Sequence, residues 1–119
     1  MQKTKNKESN RYYSNIQEQQ VAKLLGGQQT PNSGATHFIK GDVVIKEASL
    51  LCECKTCNKE KDSFSIKKEW LDKNNNEAKL NHYYNNMLAF NFGPNSKNYF
   101  IIDEKLCKYL IEALIKDNI

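Results

Sequence analysis

Two neighbouring stretches decide how this chain is read: Gly41-Asp42-Val43-Val44-Ile45 and Leu50-Leu51-Cys52-Glu53-Cys54-Lys55. Both are short, rich in Val, Ile and Leu, and bounded by polar residues, which is the pattern of paired β-strands. Side chains on a strand repeat their direction every second residue, so Glu53 and Lys55 share one face and Cys52 and Cys54 the other. With Asp42 at the end of a neighbouring strand, its carboxylate meets Glu53 at one point in space. Two hard oxygen ligands beside a lysine suit a divalent cation and a phosphodiester.

Working outward, residues 37–46 and 48–56 are predicted to form an antiparallel hairpin, with Phe38, Val43 and Ile45 supplying packing and His37 at the rim. Upstream, Ser14-x-x-Gln17 reads as a capping box and Gly26-Gly27 as a stop, predicting a helix between them. Val21, Ala22 and Leu25 form its inward stripe, and Glu18 lies on that stripe. A carboxylate there snorkels to the edge or faces a positive charge. Residues 27–35 are turn-like, an ordinary connection or a close approach to a nucleic-acid backbone. Residues 1–13 read as a flexible basic arm and 14–119 as a single domain.

Downstream, a charged loop over 57–64 leads to a helix starting at Ser63 or Ser65, with Ile66 and Trp70 inward. The run Asn74-Asn75-Asn76 predicts a bend or break before Ala78 and Leu80. Met87 to Phe92 and Tyr99 to Asp103 read as strands joined by the turn Gly93-Pro94-Asn95-Ser96. Asp103 then caps a last helix carrying Leu106, Leu110, Ala113 and Leu114, with Ile111 and Ile115 as a second apolar row. So much apolar surface calls for a homodimer or for extra packing within the monomer.

The Asp42…Glu53-x-Lys55 arrangement resembles the PD-(D/E)xK nuclease superfamily and, within it, the small Holliday-junction resolvases of archaea and phages. The resemblance spans roughly residues 14 to 115, and Gly41 stands where the superfamily's proline gives it its name. It implies an α/β (α+β) fold, a central mixed β-sheet flanked by helices in the order α-β-β(-β)-α-β-β-α. It further implies a Mg²⁺, replaceable by Mn²⁺, on Asp42, Glu53 and the Cys54 backbone carbonyl, with Glu18 completing this site or recruiting a second metal. Lys55 would orient or help deprotonate the attacking water, and Ser33 would lie near the catalytic centre. The products would be 5′-phosphate and 3′-hydroxyl ends. The expected substrate is a four-way DNA junction, nicked symmetrically by a homodimer. Another nuclease of the superfamily, or a non-catalytic DNA-binding module of the same fold, is the alternative.

Composition is compatible with this reading. The 119 residues carry a net charge of +4 at pH 7, modest for a nucleic-acid binder, with seventeen lysines and a single arginine. Phosphates would therefore be met by lysine point charges rather than guanidinium forks. Lys3, Lys5, Lys7, Arg11, Lys67 and Lys68 are candidate DNA contacts, with a solvated surface as the plain reading. No apolar run is long enough for a membrane span, and the lysine- and asparagine-rich start predicts no secretory signal and a cytoplasmic protein. No phosphate-binding loop or dinucleotide fingerprint is present, so no nucleotide cofactor is expected. Only Cys54-x-x-Cys57 matches half a zinc knuckle, so the cysteines are expected to be structural.

Overall fold

A computed structural model describes residues 2–30 and 42–118, with side chains over 10–30 and 42–118. Its elements are α1 (Gln2–Leu25), β1 (Gln28–Gln29), β2 (Asp42–Ile45), a 3₁₀ turn (Lys46–Ala48), β3 (Leu50–Lys55), α2 (Lys68–Leu80), β4 (Asn85–Phe90), β5 (Tyr99–Ile101) and α3 (Glu104–Asp117). Ser33, His37, Phe38, Gly41 and the side chains of Lys3, Lys5 and Lys7 lie outside the described residues. No helix among the described residues is long and apolar enough to cross a membrane.

The five strands form one sheet in the order β1-β2-β3-β4-β5. Only β3 and β4 are parallel; the other three pairs are antiparallel. A parallel neighbour requires a crossover, and α2 supplies it. Strand alternation then divides the core in two. Val43, Ile45, Cys52, Met87 and Ala89 pack with Val21 of α1, while Val44 and Leu51 pack with Ala78 of α2. The sheet is thus covered by one helix on each face, as an α+β chain of this length requires.

The elements depart from the sequence pattern in particular places. α1 begins at Gln2 rather than Ser14, so the stretch expected as an arm is helical from Gln2 onward. Its Lys, Gln, Glu and Arg side chains lose little rotamer freedom in a helix, and propensity extends the helix beyond its packed part. α2 starts at Lys68 and continues through Asn74-Asn75-Asn76 without a break. The reason is that Asn74 does not compete with the helix backbone. It is buried, donates to the Leu51 carbonyl at 3.4 Å and accepts from the Asn86 amide at 2.8 Å. β4 begins at Asn85, before the expected Met87, because Asn85 and Asn86 pair with Leu50 and Leu51. Asp103 caps α3 as expected, its carboxylate accepting from the Leu106 amide at 2.9 Å.

α1 ends at a two-glycine turn. Gly26 has φ +68°, the left-handed conformation that closes a helix, and the Gly27 amide returns to the Ala22 carbonyl at 2.8 Å. A Cβ on Gly27 would lie 2.6 Å from the Val44 carbonyl oxygen. That close approach lets β1 pair with β2 immediately after the helix. Gly27→Ala should therefore destabilise the fold by about 1–3 kcal/mol, read as a lower urea midpoint at unchanged slope; an unchanged midpoint would show that the α1–β2 junction has slack.

Candidate metal centre

Asp42 and Glu53 are direct partners across β2 and β3, so their side chains leave the same face of the sheet. That face is the one covered by α2. On α2, the spacing Trp70, Asn74, Glu77, Ala78 keeps one stripe turned to the sheet. The bonds of Asn74 to Leu51 and Asn86 fix where the helix sits, and Glu77, one turn further on, descends on the two strand carboxylates. Carboxylate oxygens of Asp42, Glu53 and Glu77 all lie within 4.8 Å of one another. All three residues are buried, at 0%, 4% and 6% exposure. Glu77 was not singled out in the sequence; the four-three-one spacing from Trp70 is the signal that finds it.

Burying three carboxylates together has electrostatic consequences. Burial raises the Glu53 pKa above the usual range, opposed by Lys55, reinforced by the Glu77 charge and opposed again by Lys73. Burial also raises Glu77, partly offset by a hydrogen bond with the Asp42 carboxyl and by the Lys73 and Lys55 charges. One oxygen on each glutamate, Oε2 in both cases, is buried with no hydrogen-bond donor among the described residues. The nearest cation to Glu53 is the Lys55 ammonium at 3.8 Å, an ion pair too long to be a hydrogen bond. Buried oxygens of this kind ordinarily have partners. A hard divalent cation such as Mg²⁺ or Mn²⁺ takes oxygen ligands of this type and would satisfy them.

Lys55 is held at the mouth of the cluster. Its ammonium lies 4.6 Å from the centre of the Trp70 ring. Glu53, Lys55, Glu69, Trp70 and Lys73 line a cleft of about 230 Å³, so the cluster meets the cleft at Glu53. The main chain of Lys55 is anchored from the other side of the sheet by buried Gln17 of α1, whose amide donates to the Lys55 carbonyl at 2.8 Å and to Asn98 at 3.2 Å. The capping-box role expected of Gln17 does not arise, because α1 begins at Gln2 and Gln17 lies in mid-helix. The Asp42 main chain is likewise pinned, its carbonyl accepting from the Thr30 amide at 3.1 Å and the Thr30 hydroxyl at 3.2 Å.

The remaining sequence candidates fall in different places. Glu18 is buried, as its stripe position predicts. It belongs to α1, which packs on the cysteine face of β3, and it accepts from the Gln29 amide at 3.5 Å. It stands outside the three-carboxylate cluster. Cys54 pairs with Ala89 in the sheet. Its thiol is pushed up by a hydrogen bond with Cys52, by burial, by the Cys52 charge and by the Glu18 and Asp42 charges. All four cysteines are free, and the acidic trio is the sole cluster of three or more potential metal ligands among the described residues. The zinc reading therefore has no donor set among the described residues. Lys67 and Lys68 stand at the start of α2: the Lys67 ammonium is 5.7 Å from the Trp70 ring, and Lys68 pairs with Asp72 at 2.7 Å. Arg11 is exposed on α1.

No protein-family model, curated protein or solved structure matches this chain. The geometry of the carboxylate cluster therefore carries the functional reading by itself.

Because Glu53 and Glu77 hold protons more tightly in the folded chain than in the unfolded one, they lower stability as pH rises from the ordinary carboxyl range through their raised values. In chelator, Glu77→Gln should melt at a higher temperature than the parent chain, and the gap should widen as pH rises above about 4.5. Mg²⁺ or Mn²⁺ at a hundredfold excess over Kd should add about 2.7 kcal/mol, roughly 10 °C in melting temperature. Glu53→Gln should abolish that rise. A parent chain whose melting is blind to both ions would show that the cluster holds no metal.

Proposed function

We propose that this chain is a Mg²⁺-dependent endodeoxyribonuclease, most specifically a Holliday-junction resolvase acting as a homodimer. The observation that carries the reading is the buried trio Asp42, Glu53 and Glu77 with Lys55 at its mouth. Asp42, Glu53 and Glu77 would hold the cation, which when bound supplies positive charge at a phosphoryl oxygen and acidifies water. Lys55 donates to a phosphate oxygen and positions the attacking water, while the Trp70 ring and the Glu53 carboxylate hold its ammonium in place. The water oxygen forms the new bond to phosphorus and gives up a proton to solvent, the bond to the 3′ oxygen breaks, and that oxygen takes a proton from solvent. Burial makes this arrangement effective: charges in a water-poor site act more strongly than at a surface.

Symmetric cutting of a four-way junction requires two such sites at a fixed spacing, and α3 offers the surface that would set it. Tyr109, Leu110, Ile111, Leu114 and Ile115 are all exposed large apolar side chains on this one helix. A second copy presenting the same patch would cover it by two-fold symmetry. Leu114→Asp should convert a dimer into a monomer in sedimentation, with the melting temperature of the monomer unit little changed. A parent chain that sediments as a monomer at tens of micromolar would remove the dimer from the proposal.

The activity is tested with a labelled synthetic four-way junction, a matched linear duplex and a single strand, each with Mg²⁺. Paired, symmetric nicks in the junction are expected, with Asp42→Asn slowing them by about 100-fold or more while junction binding persists. Equal cutting of the linear duplex would retain a nuclease and eliminate the resolvase. A folded protein that cuts none of the three with Mg²⁺ or Mn²⁺ would eliminate the enzyme.

A further inference from the structure

A row of five aromatic rings crosses the sheet end beside the carboxylate cluster. Trp70 lies 6.3 Å from Phe64, Phe64 stacks on Phe90 at 5.6 Å, and Phe90 stacks on Tyr99 at 5.8 Å. Phe92 closes edge-on against Phe90 and Tyr99, at 5.5 Å from each. The strand register produces the row. Phe90 of β4 is the direct partner of both Lys55 of β3 and Tyr99 of β5. The rings therefore run across the strands and end at the lysine of the candidate active site.

None of the five belongs to either buried core cluster. Four are half-buried, and Tyr99 is 41% exposed. Three ammonium groups lie over this surface: Lys55 at 4.6 Å and Lys67 at 5.7 Å from the Trp70 ring, and Lys97 at 5.5 Å from the Tyr99 ring. Within the row Phe64, Phe90 and Tyr99 stack on one another, so the exposed ring is Tyr99 at its end, with Lys97 beside it. An exposed ring next to an ammonium matches the two repeating parts of an unpaired strand, a flat base and a charged phosphate. Base–aromatic stacking is stronger than an exposed cation–π contact, so an arriving base displaces Lys97 from Tyr99 and frees its ammonium for the backbone.

We infer that Tyr99, at the exposed end of the Trp70–Phe64–Phe90–Tyr99 row, is a stacking platform for an unpaired nucleotide whose strand is guided along the row to Lys55. The inference deepens the nuclease reading and takes its direction from it, naming the substrate feature recognised as the unstacked bases at a branch point rather than continuous duplex. Stacking selects for single strands without selecting sequence, since every base offers a π-face.

The test is carried out in chelator, where no cutting occurs, so that binding is separated from catalysis. Trp70 is the chain's single tryptophan, and its fluorescence reports on the row. A dT oligonucleotide of about 15 nucleotides, the upper range of a single-strand site, should quench it saturably. Tyr99→Ala should weaken that binding by about 5- to 150-fold and leave binding of an equal-length blunt duplex nearly unchanged, whereas Tyr99→Phe should bind as the parent does. Lys97→Ala should flatten the salt dependence of single-strand binding by about 0.7 in log–log slope. No quench, an unaffected Tyr99→Ala, or equal weakening on single strand and duplex would each overturn the platform. A protein that is quenched as expected but cuts nothing with Mg²⁺ would keep the platform and lose the nuclease, and cutting without quench would do the reverse.

Discussion

The arrangement depends on one pairing, Asp42 opposite Glu53 in the register of β2 and β3. A one-residue slip would send one strand carboxylate to the α1 face and leave the other with only Glu77 under α2. The register is held from several directions. Val43 and Ile45 must face α1 while Val44 faces α2. Gly27 brings β1 against the Val44 main chain, and Thr30 binds the Asp42 carbonyl twice. Apolar burial thereby forces two acids together that would otherwise separate in water.

The cost of that juxtaposition is electrostatic. An ion taken out of water loses of the order of several kcal/mol, and two of the three acids answer by moving their pKa upward. Lys55 and Lys73 return part of the loss, but the Lys55–Glu53 separation of 3.8 Å is long. Sites that combine burial, like charges and a nearby cleft are where function concentrates in folded chains. Two glutamate oxygens are left with no donor among the described residues.

The site is also built from both sides of the sheet. Gln17 on α1 grips the Lys55 carbonyl and continues through Asn98 to Asn91, whose side chain receives the Thr56 hydroxyl at 2.6 Å and the Gly93 amide at 3.1 Å. These polar side chains fix the end of β3, where Lys55 leaves the sheet. α2 meanwhile delivers Glu77 and Trp70 from the opposite face. The same strand end carries the aromatic row, so the acidic cluster and the ring surface are parts of one edge.

The alternation of Glu53 and Lys55, the Gly26-Gly27 stop, the Asp103 cap and the apolar stripe of α3 were legible in the chain itself. Each is a local property: a two-residue strand period, a left-handed backbone position, a side chain three residues from an amide, a helical repeat. β1 was not legible: Gln28–Gln29 falls in the stretch 27–35 that reads as a turn-like connection. Glu77 was hidden by the break expected at Asn74-Asn75-Asn76: only in a continuous α2 does the spacing from Trp70 put it on the inward stripe. That continuity was not legible either, since a propensity argument cannot see that Leu51 and Asn86 occupy the Asn74 side chain. The position of Glu18 depends on which face of the sheet α1 covers, and the aromatic row on the pairing of strands far apart in sequence. Local spacing determined which groups could act. Tertiary packing decided which of them meet, because burial and cross-strand register bring together residues that no sequence interval connects.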